Sequence, residues 1–497
     1  MPWYSGLADG RSSRVLTQLS ERAHIFRMKR HVAIRLLLGI GIALLLAAPG
    51  AHAWDWPMFG GNVQSTSANP RPAGITAANV ERLRLRRVKL SGVVDASAIY
   101  LRSAVIDGAR RKAIFVTTSY GRTIALDPDN GGILWQYTPA SYGELAGTLQ
   151  FTNSTPVADP DGKFIYAASP DGYIQKLAVS NGQVVWRTRI TKLPQREKMD
   201  SPLKFFQGHV IAVTAGYIGD RPPYQGHVAI IDSRSGKLLH VWNSLCSNRA
   251  DLIRPDSCRQ SRSAIWGRAG AVIDPDDGHI FIATGNGRWN GSTDWGDALV
   301  ELNSSATKML GNYTPANTEE LDDDDLDLGS TSPVLLGSGL IAQGGKDGKI
   351  RLLSEREIAG DAPHQGHELQ VVATPGGTDL FSQPAVWRDR RATWMFVSDN
   401  DGTAAWRMHN GLLRREWIND TGGTSPFEAD GLLFVYAPSG GLNVYAATSG
   451  KHIARLPCGP GHWNSPIVVD GMIILPEGNA NSRETTGVID IWSLTGR

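Results

Sequence analysis

Few residues of this 497-residue chain stand at spacings that suggest catalytic chemistry. His364 and His367 offer two imidazoles, but they lie in a polar segment without a third ligand, so we interpret them as surface histidines. Cys458 and His462 likewise have no further Cys or His nearby to complete a zinc site. Nucleophile elbows, Walker A loops and dinucleotide-binding fingerprints with the right flanks are also absent. The sequence therefore does not indicate a zinc enzyme, a serine hydrolase, a nucleotide triphosphatase or a Rossmann dehydrogenase.

Four other residues could hold a cofactor or an ion, and each also has an ordinary structural interpretation. Trp266 could pack between sheets, and Asn286 lies in a Gly-rich turn, where Asn is common because it tolerates the left-handed conformation. Asp327 follows the acidic run 322–325, which is typical of a solvated loop. Lys346 precedes the Asp-Gly pair of a hairpin, where an exposed lysine is ordinary. Local sequence alone leaves both interpretations open for each of them.

An internal repeat supplies the elements that must position these residues. Each copy contains an apolar strand, a Gly turn, an alternating strand, a tight turn and a strand that often ends in Trp, which is the pattern of consecutive hairpins. Eight copies occur, at residues 114–135, 164–186, 210–242, 280–302, 340–353, 394–417, 433–450 and 472–492. Such units must stack to bury both faces, and a ring leaves no long exposed edge. We predict an all-β fold, an eight-bladed β-propeller of four-stranded antiparallel blades, with seven blades as the alternative.

Two further patterns concern how the ring is assembled. The segment Trp54–Pro57 and the strand near Val93–Ile99 precede the first full copy, and we expect them to close the ring against the last blade. A Ser/Thr-Pro pair recurs before strands, at Thr155, Ser332, Ser425 and Ser465. We therefore predict one propeller domain over residues 54–497.

The first 53 residues have the composition of an export signal. Lys29 and Arg30 precede a short apolar run, and Ala51-His52-Ala53 fits a signal-peptidase site. We expect a signal peptide over residues 1–53, with Met28 as an alternative start, and a periplasmic or secreted protein that is not embedded in a membrane after cleavage. Of 50 Lys/Arg and 48 Asp/Glu, this segment holds seven and two, so the remainder is net −3. A mildly acidic body without a basic run argues against a nucleic-acid partner.

Three cysteines follow the predicted signal. In an oxidising compartment we expect a disulfide between Cys246 and Cys258, which would close a polar loop within a blade. The alternative is two unpaired thiols. Cys458 is then left without a partner, and burial is the usual setting of a lone cysteine.

The repeat resembles that of propellers that bind pyrroloquinoline quinone (PQQ). Residues 121–135 and 172–186 carry it well, with Ala-Leu-Asp and a terminal Trp in the first of them. The segments 56–62 and 79–83 are similar to the entry segment of quinoprotein alcohol dehydrogenases. The most specific resemblance lies in 264–267 and in 282–287, Ile-Ala-Thr-Gly-Asn-Gly. The chain is thus identified as similar to the quinoprotein alcohol dehydrogenase-like superfamily over nearly all of residues 54–497.

The resemblance implies a cofactor, a metal and a set of site residues. In this family PQQ lies at the ring axis on a Trp floor, with Ca²⁺ at its quinone side. Trp266 matches that Trp, Asn286 a calcium ligand, Asp327 the catalytic base, and Lys346 the basic residue that hydrogen-bonds the quinone oxygens. The resemblance also implies oxidation of an alcohol or sugar hydroxyl, in which the base takes the hydroxyl proton.

The chain also departs from the family pattern. A metal-binding Glu is expected before the strand at Gly226, and the nearest acid is Asp220, beside Arg221. The adjacent Cys pair of many such enzymes is missing, and without a Cys-x-x-Cys-His motif we expect no c-type haem.

Two functions therefore stay open. The chain is either a PQQ- and calcium-dependent oxidoreductase acting on a small alcohol or sugar, or a non-catalytic propeller scaffold. The scaffold would bind protein partners in the cell envelope, like the propeller lipoprotein of outer-membrane β-barrel assembly.

Overall fold

The computed structural model describes residues 55–494. The predicted signal peptide, with its alternative start at Met28, lies outside these residues. Eight blades, each with four antiparallel strands, form a β-propeller, which confirms the predicted fold and the count of eight rather than seven. In the seventh blade the two-residue strand Ala68–Asn69 adds a fifth strand, parallel to the first. All eight predicted repeat copies fall on separate blades. Four copies contain the second, third and fourth strands of one sheet, and the copies at 280–302, 340–353, 433–450 and 472–492 contain the second and third.

The strands are numbered in chain order. The first eighteen are β1 (Ala68–Asn69), β2 (Arg84–Leu90), β3 (Ile99–Ile106), β4 (Ala109–Thr117), β5 (Thr123–Leu126), β6 (Ile133–Tyr137), β7 (Val157–Ala158), β8 (Phe164–Ser169), β9 (Tyr173–Ala178), β10 (Val184–Arg189), β11 (Glu197–Lys198), β12 (Lys204–Phe206), β13 (His209–Val213), β14 (Ala215–Gly216), β15 (His227–Asp232), β16 (Leu238–Asn243), β17 (Val272–Ile273) and β18 (Ile280–Ala283). The others are β19 (Leu299–Leu302), β20 (Met309–Tyr313), β21 (Val334–Gly337), β22 (Leu340–Gly344), β23 (Lys349–Ser354), β24 (Gln370–Ala373), β25 (Ala385–Arg388), β26 (Thr393–Ser398), β27 (Thr403–His409), β28 (Leu412–Asn419), β29 (Phe427–Ala429), β30 (Leu432–Tyr436), β31 (Leu442–Ala446), β32 (His452–Leu456), β33 (Ile467–Val469), β34 (Met472–Glu477) and β35 (Gly487–Ser493).

The blades follow the chain in order. Blade 1 is β3–β6 and blade 2 is β7–β10, while blade 3 consists of β12, β13, β15 and β16. Blades 4 to 7 are β17–β20, β21–β24, β25–β28 and β29–β32. Blade 8 combines β33, β34 and β35 with β2. The first strands of neighbouring blades contact one another, as β7 does with β12 and β29 with β33, so the first strand of each blade lies innermost.

The ring is closed by an N-terminal strand, as predicted, but not by the strand that the sequence suggested. β2 pairs antiparallel with β35, with Arg84 opposite Ser493 and Leu90 opposite Gly487, and so forms the outer edge of blade 8. The predicted closing strand near Val93–Ile99 instead leads into β3, the inner strand of blade 1. β2 was missed because its residues are mostly exposed and basic. Such residues are compatible with an outer strand, but they lack the unbroken alternation of apolar and polar residues by which a strand is recognised in the sequence.

The Trp and Gly residues of the repeat pack against each other between blades. Trp135 donates its indole N–H to Val179 O at 2.7 Å, and a Cβ at Gly182 would lie 2.6 Å from its ring. Trp186 and Trp417 make the corresponding contacts in blades 2 and 6. Each indole thus covers the glycine turn of the next blade, where a side chain would collide. The sequence pattern records this contact between blades.

The Ser/Thr-Pro pairs lie just before the inner strands, at the inner rim of the ring, and their hydroxyl groups join neighbouring blades. Thr155 Oγ1 accepts a hydrogen bond from Ser97 N at 3.1 Å, and Ser425 Oγ accepts one from Gln383 N at 2.8 Å. Ser332 Oγ accepts from Ala269 N at 3.1 Å. In each case a buried hydroxyl of one blade satisfies a backbone N–H of the preceding blade, which would otherwise be costly to bury.

Regular helices are short within residues 55–494. They are α1 (Tyr142–Leu145), α2 (Thr318–Asp323) and α3 (Glu355–Ile358), with 3₁₀ turns at Val80–Arg82, Pro255–Ser257, Leu328–Ser330 and Ala480–Ser482. None of the helices in this part of the chain has the length and apolar character needed to cross a membrane. The blades, and the loops between them, therefore carry the candidate site.

The predicted disulfide is present, but its place in the fold differs from the prediction. Cys246 and Cys258 are bonded, with their Cα atoms 6.1 Å apart. Both follow β16, so the bond closes part of the connection between blades 3 and 4 rather than a loop within a blade. Cys458 is unpaired and half-buried, and its Sγ accepts a hydrogen bond from Gly441 N at 3.2 Å.

Candidate functional site

Two kinds of connection meet at one end of the blades. One kind precedes the inner strand of a blade, and the other joins its second and third strands, so both lie at the same end of the sheet. Trp266 and Asp327 belong to the first kind, before β17 and β21, while Asn286 and Lys346 belong to the second, after β18 and β22. We call this end of the propeller the site end. The topology thus places all four predicted site residues at one end of blades 4 and 5.

Asp327 is the centre of the group. Its carboxylate accepts a hydrogen bond from Asn286 N at 2.7 Å through Oδ1, and its Oδ2 lies 2.5 Å from Lys346 Nζ. The side chain is buried, and Oδ1 lies so close to Gly285 that a Cβ there would be 1.9 Å from it. The Thr-Gly-Asn sequence therefore serves geometry, because only glycine lets the Asp327 carboxylate reach the Asn286 backbone.

Lys346 is not the exposed hairpin lysine of the ordinary interpretation. Its ammonium contacts Asp325 Oδ2 at 3.3 Å as well as Asp327, and its side chain is 17% exposed. Burial raises the pKa of the Asp327 carboxyl, and the Lys346 ammonium partly offsets that rise. Burial by itself lowers the pKa of Lys346, but Asp327 and Asp325 outweigh it and raise the pKa above its usual value.

Asn286 has an oxygen that nothing else in the described chain satisfies. Its Nδ2 donates to Asp325 Oδ1 at 2.5 Å, whereas its buried Oδ1 accepts no hydrogen bond within residues 55–494. Asp297 Oδ2 is buried and without a hydrogen bond in the same part of the chain. Burial and the nearby Asp327 carboxylate raise the pKa of Asp297 well above its usual range. Buried oxygens of this kind are suitable ligands for a hard cation.

Asp220 reaches the same neighbourhood from blade 3. Tyr224 donates its hydroxyl to Asp220 Oδ1 at 3.2 Å, and the Tyr224 ring meets the half-buried Trp266 ring edge-on at 6.3 Å between centroids. Burial raises the pKa of Asp220, and the negative charge of Asp325 adds to the rise. The contact that fixes the Asp220 carboxylate is the Tyr224 hydroxyl, in a loop whose length differs from the family pattern.

A buried glutamate lies beneath that loop, but its partners occupy it. Glu197 Oε1 lies 3.0 Å from His227 Nε2 and accepts from Gln225 N at 3.3 Å, while Thr191 donates to its Oε2. Glu197 therefore supports the loop before Gly226 and does not stand where the family's metal-binding Glu is expected.

Sequence reasoning missed several residues at this end. Asp325 was assigned to a solvated run, and Asp297 and Tyr224 were not considered. Asp297 lies two residues before β19 and Tyr224 three residues before β15, and an isolated polar residue shortly before a buried strand is the signal that could have found them. Their relation to Asp327 depends on partners 30 to about 100 residues away.

A second charged group lies where the inner segments of blades 3, 4 and 8 approach the axis. Lys198 Nζ lies 2.5 Å from Asp200 Oδ1, and Arg268 contacts the other oxygen of that carboxylate. The Arg268 guanidinium also stands 5.0 Å from the ring centroid of Trp463. Blades 4 and 8 face each other across an eight-bladed ring, so the contact between Arg268 and Trp463 spans the axis. Arg268 follows Trp266 by two residues in the sequence.

The remaining candidates do not form sites in the described chain. Cys458 and His462 separate: Cys458 is held by Gly441, while His462 Nδ1 lies 2.8 Å from Asp95 Oδ2. His364 and His367 belong to no cluster of three or more possible metal ligands within residues 55–494. Their interpretation as surface histidines holds in part, because His364 is half-buried.

Comparison with known proteins was made at the levels of family, sequence and fold. A family model described as outer membrane protein assembly factor BamB matches residues 84–292. The dehydrogenase subunit of a quinone-dependent alcohol dehydrogenase from Gluconobacter oxydans is 24% identical over 320 residues, or 57% of this chain and 40% of that protein. A polyvinylalcohol dehydrogenase from a Pseudomonas species is 23% identical over 270 residues, or 51% of this chain and 39% of that protein. The matched region thus spans about two fifths of the length of these relatives.

Solved structures share the fold. A quinohemoprotein alcohol dehydrogenase from Comamonas testosteroni superposes with a TM-score of 0.68 at 15% identity, covering 90% of this chain and 82% of that one. A europium-containing methanol dehydrogenase gives 0.65 at 14% identity, covering 89% and 98%. BamB from Moraxella catarrhalis gives 0.53 at 13% identity, covering 83% and 99%. At these identities the likeness concerns the fold.

Proposed function

We propose that this chain, a PQQ-binding-like β-propeller of the quinoprotein alcohol dehydrogenase-like superfamily, binds PQQ with a divalent cation at the site end and oxidises a hydroxyl of an alcohol or sugar. The observation that carries the proposal is the convergence of Trp266, Asn286, Asp327 and Lys346 in blades 4 and 5, in the order that the resemblance implies. Export to the periplasm or the medium is part of the same proposal and rests on residues 1–53.

The residues present fit a cation better than the sequence suggested. The buried Asn286 Oδ1 lacks a hydrogen bond in the described chain, and the Asp325 and Asp327 carboxylates contact the same residue through its Nδ2 and its backbone N–H. Against these acids the site end offers the Lys346 ammonium at short range, while Arg262 pairs with Asp322 at 3.6 Å. Excess negative charge with an unsatisfied carbonyl-type oxygen is the donor set that Ca²⁺ prefers. Asp220 takes the place of the missing Glu in this arrangement.

The chain's own residues then have distinct tasks. Trp266 offers a half-buried aromatic face on which a planar cofactor can stack, and Tyr224 holds its edge. Lys346 donates hydrogen bonds toward the site and keeps Asp327 in place. Asp327 accepts the proton of the substrate hydroxyl, a role that its burial favours by raising its pKa. When bound, PQQ supplies the redox chemistry by accepting two electrons from the substrate.

Cofactor retention is the first test. The purified protein is incubated with PQQ and Ca²⁺, desalted, and its near-ultraviolet absorbance is recorded. We expect about one equivalent to be retained, to be lost in Trp266→Ala, and to persist in Trp387→Ala, which removes a tryptophan of blade 6 outside the site. Failure of the parent protein to retain PQQ would contradict the proposal.

Turnover is tested separately with an alcohol series and an artificial electron acceptor. Asp327→Asn keeps the shape of the side chain but removes the base, so we expect the rate to fall by about 100-fold or more while PQQ is still retained. Equal rates in the two proteins would exclude Asp327 as the base.

A non-catalytic scaffold is the second candidate. The match to the BamB family model over residues 84–292 favours it, as does the internal pairing of Lys346 with Asp327, which lets the site end stand without a ligand. This function predicts no PQQ retention and a stable complex with a protein of the cell envelope, measured by cross-linking in intact cells and purification of this chain.

A further inference from the structure

A second group of ligand-type side chains lies at the end of the blades opposite the site end. Asp277 and His279 stand in the turn that leads into β18, whereas Asn286 follows that strand. Glu355 begins α3 after β23, whereas Lys346 precedes that strand. The length of a blade therefore separates this group from the candidate PQQ site, and the two can be tested independently.

The geometry of the group suits a small cation. One ligand atom each from Asp277, His279 and Glu355 can be chosen so that all three lie within 4.8 Å of one another. Metal–ligand bonds of about 2.0–2.2 Å place neighbouring ligand atoms roughly 3–4 Å apart, so small side-chain rotations suffice to close the triangle. His279 comes from blade 4 and Glu355 from blade 5, which means that an ion here would join two blades.

The turn itself prepares two of these ligands. Asp277 Oδ1 accepts a hydrogen bond from His279 N at 2.9 Å, which fixes the carboxylate and leaves Oδ2 at 3.2 Å from His279 Nδ1. Gly278 between them has a φ of 81°, which glycine adopts without strain. Asp277 and His279 are therefore held side by side by the backbone rather than by chance contact on the surface.

Glu301 adds a buried carboxylate behind the histidine. Its side chain is 4% exposed, and its Oε1 lies 2.7 Å from His279 Nδ1. Its Oε2 lies against Gly311, where a Cβ would approach it to 2.7 Å. A carboxylate that accepts from one imidazole nitrogen orients the ring and leaves the other nitrogen for a metal. Glu301 and Asp277 both approach Nδ1, so the nitrogen left for a metal is Nε2, and the Asp277 side chain must rotate toward it to become a ligand.

The charges of the group are not balanced by the protein. Within the described residues the ion pairs of Asp277 and Glu301 are made to His279, and Glu355 has none. Three carboxylates thus surround a single imidazole, with no Lys or Arg among their ion-pair partners there. The imidazole among these carboxylates favours a transition metal over Ca²⁺.

We propose that Asp277, His279 and Glu355 bind a divalent transition-metal ion, such as Zn²⁺ or Mn²⁺, between blades 4 and 5. Glu301 acts as a positioning residue that holds the His279 ring, and water completes the coordination. The ion has a structural role, because it links the two blades that carry the candidate site at their other end.

Metal binding is measured on the full purified protein, free of any histidine tag and treated with a chelator. Calorimetric titration with Zn²⁺ or Mn²⁺ alone should give one site, and Co²⁺ should give a visible absorption band that reports a nitrogen ligand. We expect His279→Ala to weaken affinity by about 100-fold or more, and Glu301→Gln by about 10- to 100-fold. His409→Ala, an exposed histidine of blade 6, is the matched control and should leave binding unchanged.

Two results would overturn the proposal. One is the absence of binding in the parent protein at 100 μM metal, and the other is binding that survives His279→Ala but is lost in Asn286→Ala, which would move the ion to the site end. If His279→Ala does not fold, Glu355→Gln replaces it, since Glu355 is half-buried at the start of a short helix. PQQ retention does not enter either readout, so this site and the proposed function can fail separately.

Discussion

The connections before the inner strands of blades 4 and 5 differ from those of blades 6 and 7, although they occupy the same place in the repeat. In the connections of blades 6 and 7, Gln383 N donates a hydrogen bond to Ser425 Oγ across the boundary between the two blades. In blades 4 and 5 the corresponding connections contain Trp266 and Asp327. The loop after β18 contains Asn286, whose Oδ1 accepts no hydrogen bond in the described chain.

The two pairs of blades therefore differ in what their connections offer to a ligand. Several hydroxyl groups of the inner rim accept hydrogen bonds from the preceding blade, which stabilises the ring. At the site end of blades 4 and 5 the buried Asn286 Oδ1 and Asp297 Oδ2 accept no hydrogen bond in the described chain, and these are the atoms that the proposed cation site would use. Unsatisfied buried polar groups are costly, so they indicate function more strongly than residue type does.

The largest effect should come from filling the space beside Asp327. In Gly285→Ala the new Cβ would lie 1.9 Å from Asp327 Oδ1, so the carboxylate must leave its place. We expect loss of PQQ retention and a fall in unfolding free energy of about 1–3 kcal/mol, measured by urea denaturation. Gly143→Ala, in α1 with open space at its Cβ, is the control and should change neither. An unchanged Gly285→Ala protein would show that the close approach does not matter.

Removing a hydrogen bond of the inner rim should lower the free energy of unfolding without affecting PQQ retention. Ser425→Ala leaves the buried Gln383 N without its acceptor, and we expect a cost of about 1–2 kcal/mol in urea denaturation. PQQ retention should be unchanged, because blades 6 and 7 provide none of the four predicted site residues. Ser305→Ala, on an exposed turn, is the matched control. A loss of retention in Ser425→Ala would erase the distinction between the two regions.

The smallest effect concerns the buried pair of Glu197 and His227 beneath the Asp220 loop, and it appears in how the free energy of unfolding depends on pH. Burial lowers the pKa of His227, but Glu197 and Asn243 outweigh burial, and the folded-state pKa is raised above the ordinary value of 6.5. The pair therefore stabilises the fold fully below about pH 6.5, and its contribution is lost as pH rises through the folded-state pKa. We expect the parent protein to lose more stability than His227→Gln between pH 6 and pH 9. Parallel curves for the two proteins would contradict this assignment.

The repeat could be read from the sequence because its signals are local. Glycine turns such as Asn130-Gly131 and alternating runs such as Ile124–Leu126 lie within a few residues of each other, and they gave eight blades on the correct strands. The closing strand β2 was not recognised, because most residues of Arg84–Leu90 are exposed and show no unbroken alternation of apolar and polar side chains. Its pairing also depends on β35, about 400 residues away.

The site was predictable in part. Trp266, Asn286, Asp327 and Lys346 were identified through a resemblance, and the structure brings them to one end of two blades. Asp325 could not be separated from the run 322–325 by sequence, since all four are acids and only the backbone at Asp325, with a φ of 58°, turns its carboxylate toward Asn286 and Lys346.

The sequence by itself determined the eight-fold repeat and the residue types that each loop offers, because strands, turns and the Trp–Gly contact depend on short-range pattern. Only the tertiary structure decided which polar groups are satisfied and which are not. Asn286 Oδ1, Asp297 Oδ2 and the carboxylates around His279 acquire their character from neighbours on other strands and other blades. Burial and charge balance are properties of that assembly, so no local stretch of the chain contains them.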